Sequence, residues 1–175
     1  MFMKKTLIAA TLMAFAGAAA AATSPATATF TVSLQVNKTC VVSTTSASNI
    51  TLGATDANGT SASSSGTFSV NCSNTTPFYV GLAPSNGSTV GTGTLKGAIS
   101  GNTATVAYAL YQDAGLTTAW GNTATSTAVG NGVGGTGQGM SAAKAISEKV
   151  YAKATGSTDV QPDTYSDTVT INVNF

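Results

Sequence analysis

Tyr165-Ser166-Asp167-Thr168-Val169-Thr170-Ile171-Asn172-Val173-Asn174-Phe175 is the stretch on which the fold turns. From Val169 every second residue is apolar (Val169, Ile171, Val173, Phe175), and threonine or asparagine fills the positions between. A period of two is the signature of a strand with one face on a core. Beyond Asp167 the run carries no charge and no proline. Those are the devices by which proteins blunt an exposed strand edge. We therefore expect this strand either to be covered inside its own domain or to meet a partner.

The same alternation recurs towards the N-terminus. Ala28, Phe30, Val32, Leu34 and Val36 are interleaved with Thr27, Thr29, Thr31, Ser33 and Gln35. Further strands are expected at Cys40–Val42, Ile50–Leu52, Phe68–Cys72, Phe78–Leu82, Val106–Gln112 and Val150–Lys153. Asn58-Gly59 and Asn86-Gly87 mark turns between them. Short strands at this spacing, separated by Gly, Asn and Pro, point to an all-β sandwich. One stretch, residues 142–150, reads as a helical turn or two, and residues 130–139 as a flexible glycine-rich loop.

The chain has 175 residues and a formal net charge of +1, with no histidine. Lys4 and Lys5, the apolar Leu7–Phe15 and the small residues Ala20–Ala22 have the order of a secretory signal. A bilayer span needs about 20 apolar residues, more than this core offers. Removal of residues 1–22 leaves five lysines against six acids, a net charge of −1. So few cations do not make a nucleic-acid footprint or an anionic-lipid patch, and no membrane insertion is expected. Cys40 and Cys72 are the only cysteines, and in an oxidising compartment they admit a single pairing.

Little in the sequence resembles catalytic machinery, and no enzyme, cofactor or metal is expected. The commonest general base and metal ligand, histidine, is missing. The acids Asp56, Asp113, Glu148, Asp159, Asp163 and Asp167 are scattered and read as solvated loop groups. Asp163 and Asp167 would lie about 13 Å apart on one strand face, too far for a paired-carboxylate site. Gly130-Asn131-Gly132-Val133-Gly134-Gly135 satisfies a dinucleotide-binding pattern formally but lacks the strand and helix that give it meaning. The aromatics Tyr79, Tyr108, Tyr111, Trp120 and Tyr151 are expected chiefly in the core, with a sugar-binding surface as the other reading.

Three blocks carry a family resemblance. Phe68-Ser69-Val70-Asn71-Cys72 with Pro77-Phe78-Tyr79-Val80-Gly81-Leu82 resembles the central block of the spore coat protein U domain. Tyr108-Ala109-Leu110-Tyr111-Gln112-Asp113, leading to Trp120-Gly121, is similar to its second block. Lys149-Val150-Tyr151-Ala152, Pro162, Tyr165–Val169 and the closing Phe175 resemble its third. Asp163 departs from the family pattern, which places a glycine there.

This resemblance implies an incomplete immunoglobulin-like β-sandwich, completed by a donated strand. Its bearers are secreted coat proteins and pilins of archaic chaperone–usher systems. The domain would span residues 37–175, preceded by a donor-strand extension over residues 23–36. Phe30, Val32 and Leu34 would be the plugs of that extension. Val169, Ile171, Val173 and Phe175 would form the groove edge that meets the chaperone. The implied partners are a periplasmic chaperone, an outer-membrane usher and copies of the chain itself. The product would be an exported surface fibre supporting adhesion and biofilm formation. The alternative is a secreted adhesin or carbohydrate-binding module.

Overall fold

The computed structural model describes residues 24–44, 48–61 and 63–175. The signal segment expected over residues 1–22 lies outside them. The chain divides into a unit reaching to Gln35 and a unit Val36–Phe175. Residues 24–35 of the first unit are exposed and form no strand. The strand expected over Ala28–Val36 is therefore not formed as such. Alternation supplies an apolar face, but a strand also needs a sheet to join.

The described residues of the second unit form nine strands: β1 Cys40–Thr44, β2 Ser64–Cys72, β3 Pro77–Pro84, β4 Thr92–Gly97, β5 Thr105–Tyr111, β6 Val133–Thr136, β7 Ile146–Ala154, β8 Tyr165–Ser166 and β9 Val169–Asn174. They make a long sheet in the order β1-β2-β7-β5-β4-β8 and a short sheet in the order β6-β3-β9. Every pairing is antiparallel. The all-β, two-sheet architecture expected from the alternation is the one observed.

Period-two patterning aims one side of each central strand inward. Phe68, Val70 and Cys72 from β2 meet Phe78, Val80 and Leu82 from β3, with Tyr108 and Leu110 from β5 and Val150 and Ala152 from β7. Trp120 closes this core, fully buried, its ring 5.9 Å from that of Phe68. Its indole N–H donates to the Val80 carbonyl at 3.0 Å, so the aromatic anchor is also satisfied as a polar group.

Several local expectations need correction. Residues 142–150 hold one 3-10 turn, Ala142–Lys144, after which β7 already begins at Ile146. Cross-strand pairing with β2, including Phe68 opposite Glu148, overrides the local helical composition. Residues 130–139 are not simply a loop, because β6 pairs there with Pro77–Val80 of β3. Ile50–Leu52 forms no strand, though both residues pack against the core. β4 was not expected at all. The closing run splits at Asp167-Thr168: β8 pairs with β4 of the long sheet, and β9 pairs with β3 of the short one.

Candidate functional site: an open seam between two edge strands

β1 and β9 are edges of different sheets, and they approach one another along one flank of the sandwich. β9 pairs with β3 through Val169–Asn174, and no second strand among the described residues lies on its other side. Its inward positions Val169, Ile171 and Val173 face Pro84, Leu82 and Val80 across the ladder. Val80 and Leu82 are fully buried, whereas their partners on β9 are only half-buried. One strand separates sealed core from open core.

The opposite wall repeats this. In β1 the register that pairs Cys40 with Cys72 turns Cys40, Val42 and Thr44 inward. Val42 nevertheless remains 37% exposed and Phe175, next in the inward series of β9, 42% exposed. Between the walls lies a cleft of about 380 Å³, lined by Thr44 of β1 and by Val169 and Ile171 of β9. Its floor is Phe68, Leu82, Leu110, Val150 and Ala152, the core itself. Ile50, Leu52 and Leu95 also line a second cleft of about 750 Å³ that runs on beside Val160–Tyr165.

Local chemistry holds the two walls apart. The Cys40–Cys72 disulfide forms as expected and pins the start of β1 to the end of β2. Ser73 extends the clamp: its N–H donates to the Thr39 carbonyl at 2.9 Å and its hydroxyl accepts from the Thr39 N–H at 2.9 Å. At the other wall Asp167 sits where the chain changes sheets. It accepts a 2.6 Å hydrogen bond from the Tyr108 hydroxyl and one of 2.8 Å from the Thr168 N–H. Burial pushes its carboxyl upward, but hydrogen bonds from Ser85, Tyr108 and Thr168 outweigh that and hold it below the usual range. Burial first, and then the Asp167 carboxylate, push the Tyr108 phenol far above its ordinary value.

Asp113 and Asp163 do structural work elsewhere. Asp113 accepts from the backbone N–H groups of Thr117 and Thr118, closing a loop. Asp163 accepts from the Ile99 N–H at 2.9 Å and from the Asn102 amide at 2.7 Å. Glu148 faces inward on β7, and burial raises its carboxyl. The expectation of solvated loop acids is thus corrected for Asp167 and Glu148, which tertiary packing draws partly out of water. No three acids or cysteines gather as a metal site among the described residues.

The plug residues assigned from the sequence stand outside any sheet: Phe30 is 88%, Val32 84% and Leu34 89% exposed. Of the five aromatics expected chiefly in the core, Tyr108 and Trp120 lie there. Tyr79, Tyr111 and Tyr151 occupy outward positions and are half-buried. Alternation against β5 and β7 partners could have shown this for the last two, had strand register been legible.

These features define an all-β, two-sheet domain with an apolar seam and an extended apolar arm. The chain matches the Spore Coat Protein U domain over residues 26–172 and belongs to that family. No curated protein matches it significantly. Among solved structures it resembles a chain of the CsuC–CsuE chaperone–tip adhesion subunit pre-assembly complex from the archaic chaperone–usher Csu pili of Acinetobacter baumannii. The identity is 18% and the TM-score 0.51, over 80% of this chain and 40% of that one. That likeness is one of fold, and this chain spans less than half the length of its neighbour.

Proposed function

We propose that the protein is a structural subunit of a chaperone–usher surface fibre and polymerises by donor-strand exchange. The arm over residues 23–36 of one copy fills the seam of the next, body 37–175, with Phe30, Val32 and Leu34 as plugs. A periplasmic chaperone occupies the seam first, along Val169, Ile171, Val173 and Phe175, and an outer-membrane usher oversees the exchange. The fibre is exported through the periplasm and supports adhesion and biofilm formation at the cell surface.

The observation that carries this reading is the pairing of two deficits. The arm has an alternating apolar face with nothing buried on it, and the body has an apolar seam between two edge strands. A strand laid there gains backbone hydrogen bonds from an edge while alternate side chains enter the cleft. Phe30 and Leu34, like Val169 and Val173, stand four positions apart, about 13 Å at strand spacing. Three plugs therefore match three half-buried partners. Each fully buried plug contributes about 1.5–3 kcal/mol. Such head-to-tail insertion is heterologous and does not close on itself, so it propagates as a fibre. The likeness in fold to a chain of a chaperone–subunit complex from Csu pili supports the same assignment.

The test is assembly in cells that also express the chaperone and usher of this system. Phe30→Asp and Leu34→Asp should each abolish fibres while chaperone-bound subunit still accumulates in the periplasm. Normal fibre yield from both variants would overturn the plug assignment.

A further inference from the structure

We propose that the outward face of the long sheet, centred on Lys149, Tyr151 and Lys153 of β7 and Tyr111 of β5, binds acidic polysaccharide. Inward Val150 and Ala152 are buried, so Lys149, Tyr151 and Lys153 alternate with them on the opposite face. Tyr151 pairs directly with Tyr111 across the β5–β7 ladder, and Lys153 pairs with Ala109. Directly opposed antiparallel residues hold their Cβ atoms about 4.5–5.5 Å apart, so the two half-exposed tyrosines are immediate cross-strand neighbours on this face. Lys149 and Lys153 flank them four residues apart, about 13 Å along the strand.

The charge on this face is one-sided. Outward positions are Ser65, Thr67, Ser69 and Asn71 on β2, Ser147, Lys149, Tyr151 and Lys153 on β7, and Thr105, Ala107, Ala109 and Tyr111 on β5. None is a carboxylate, and the only acid in these strands, Glu148, faces inward. The strands of the short sheet carry no charged residue at all. A body whose acids outnumber its lysines thus still presents a local cationic stripe. The Lys149 ammonium sits 5.2 Å from the centre of the Tyr151 ring, which orients it without neutralising it.

The combination identifies the occupant by its chemistry. Phenol faces stack on the apolar faces of sugar rings, the flanking ammonium groups meet carboxylates, and neighbouring Ser and Thr hydroxyls meet sugar hydroxyls. A neutral glycan would leave the lysines unused. A lipid surface would not require the paired tyrosines. This face lies away from the seam and does not depend on strand exchange, although repetition along a fibre would multiply weak contacts into avidity.

The test uses purified mature chain, in whatever assembly state it is obtained, on immobilised polyuronate, with neutral dextran and anionic phospholipid vesicles as parallel probes. Wild type should bind polyuronate, weaken with salt, and ignore dextran. Lys149→Gln with Lys153→Gln should weaken binding at least tenfold, and Lys149→Arg with Lys153→Arg should restore it. Tyr111→Ser with Tyr151→Ser should also weaken it. Lys38→Gln with Lys144→Gln removes an equal charge elsewhere and should leave binding intact; an equal loss there would mean simple net charge and overturn the proposal. So would unchanged binding by the double glutamine variant, no binding by wild type, or vesicle binding that survives tyrosine removal. Melting temperatures within a few degrees of wild type establish that each variant is folded. Loss of fibres alone bears on the strand-exchange reading and not on this one.

Discussion

Asp167 and Tyr108 join the two sheets where the chain crosses between them, and their pairing makes stability depend on pH in a defined direction. The folded carboxyl of Asp167 lies below its ordinary value of 3.8. Its contribution is therefore complete above that value and drains away as the pH falls through the lower folded one. Denaturant titrations near pH 6 and pH 3 should show wild type losing more stability on acidification than Asp167→Asn, because only wild type has that group to protonate. Tyr108 behaves oppositely. Its folded phenol is raised, so its contribution holds below its ordinary value of 10.0 and is lost as the pH climbs beyond. An acid limb as steep in Asp167→Asn as in wild type would mean that other carboxylates control it.

At the scale of the element, the strands hidden from sequence reading share one cause. β4 (Thr92–Gly97) has Gly93 opposite Tyr108, and a Cβ there would strike the phenol ring. β6 (Val133–Thr136) has Gly135 opposite Phe78, and a Cβ there would strike that ring too. In both, a large aromatic from the neighbouring strand occupies the space of the missing side chain. The inward position thus reads as glycine, and a strand looks like a loop. Gly93→Ala should cost about 1–3 kcal/mol through overpacking against Tyr108, seen in urea denaturation. β1 depends on its clamp instead: Cys40→Ser with Cys72→Ser should cost about 3–4 kcal/mol, given a separation of 32 residues. It should also loosen the β1 wall of the seam, seen as faster amide exchange in Val41–Thr44 than in β2.

For the whole molecule, the proposed strand exchange requires the body to accept one further strand at the seam. A free peptide of residues 27–36, added to the protein without residues 1–22, should raise its melting temperature in a concentration-dependent way, as any ligand of the folded state does. The same peptide with aspartate in place of Phe30, Val32 and Leu34 should have no effect. Equal stabilisation by both peptides would show that the alternating face is not what the body recognises. The long sheet's outer face and the seam occupy different sides of β7 and β2, so the proposed strand exchange and the proposed polysaccharide binding would not compete.

Much of this was legible in residues alone. Alternation in Phe68–Cys72, Phe78–Leu82 and Val169–Phe175 determined that the domain is all-β, because period two leaves one face to bury. Two cysteines among 175 residues determined their pairing. The exposed face of Phe30, Val32 and Leu34 was equally plain as a pattern. Tertiary structure alone decided what lay between elements: that the closing run breaks at Asp167 to serve two sheets, that β4 and β6 exist, and that Tyr111 meets Tyr151 outward. It also decided that β1 and β9 end as neighbours, with no strand between them among the described residues. The reason is physical: a side chain's period reports which face it takes, whereas pairing partners and gaps are set by contacts far apart in the chain.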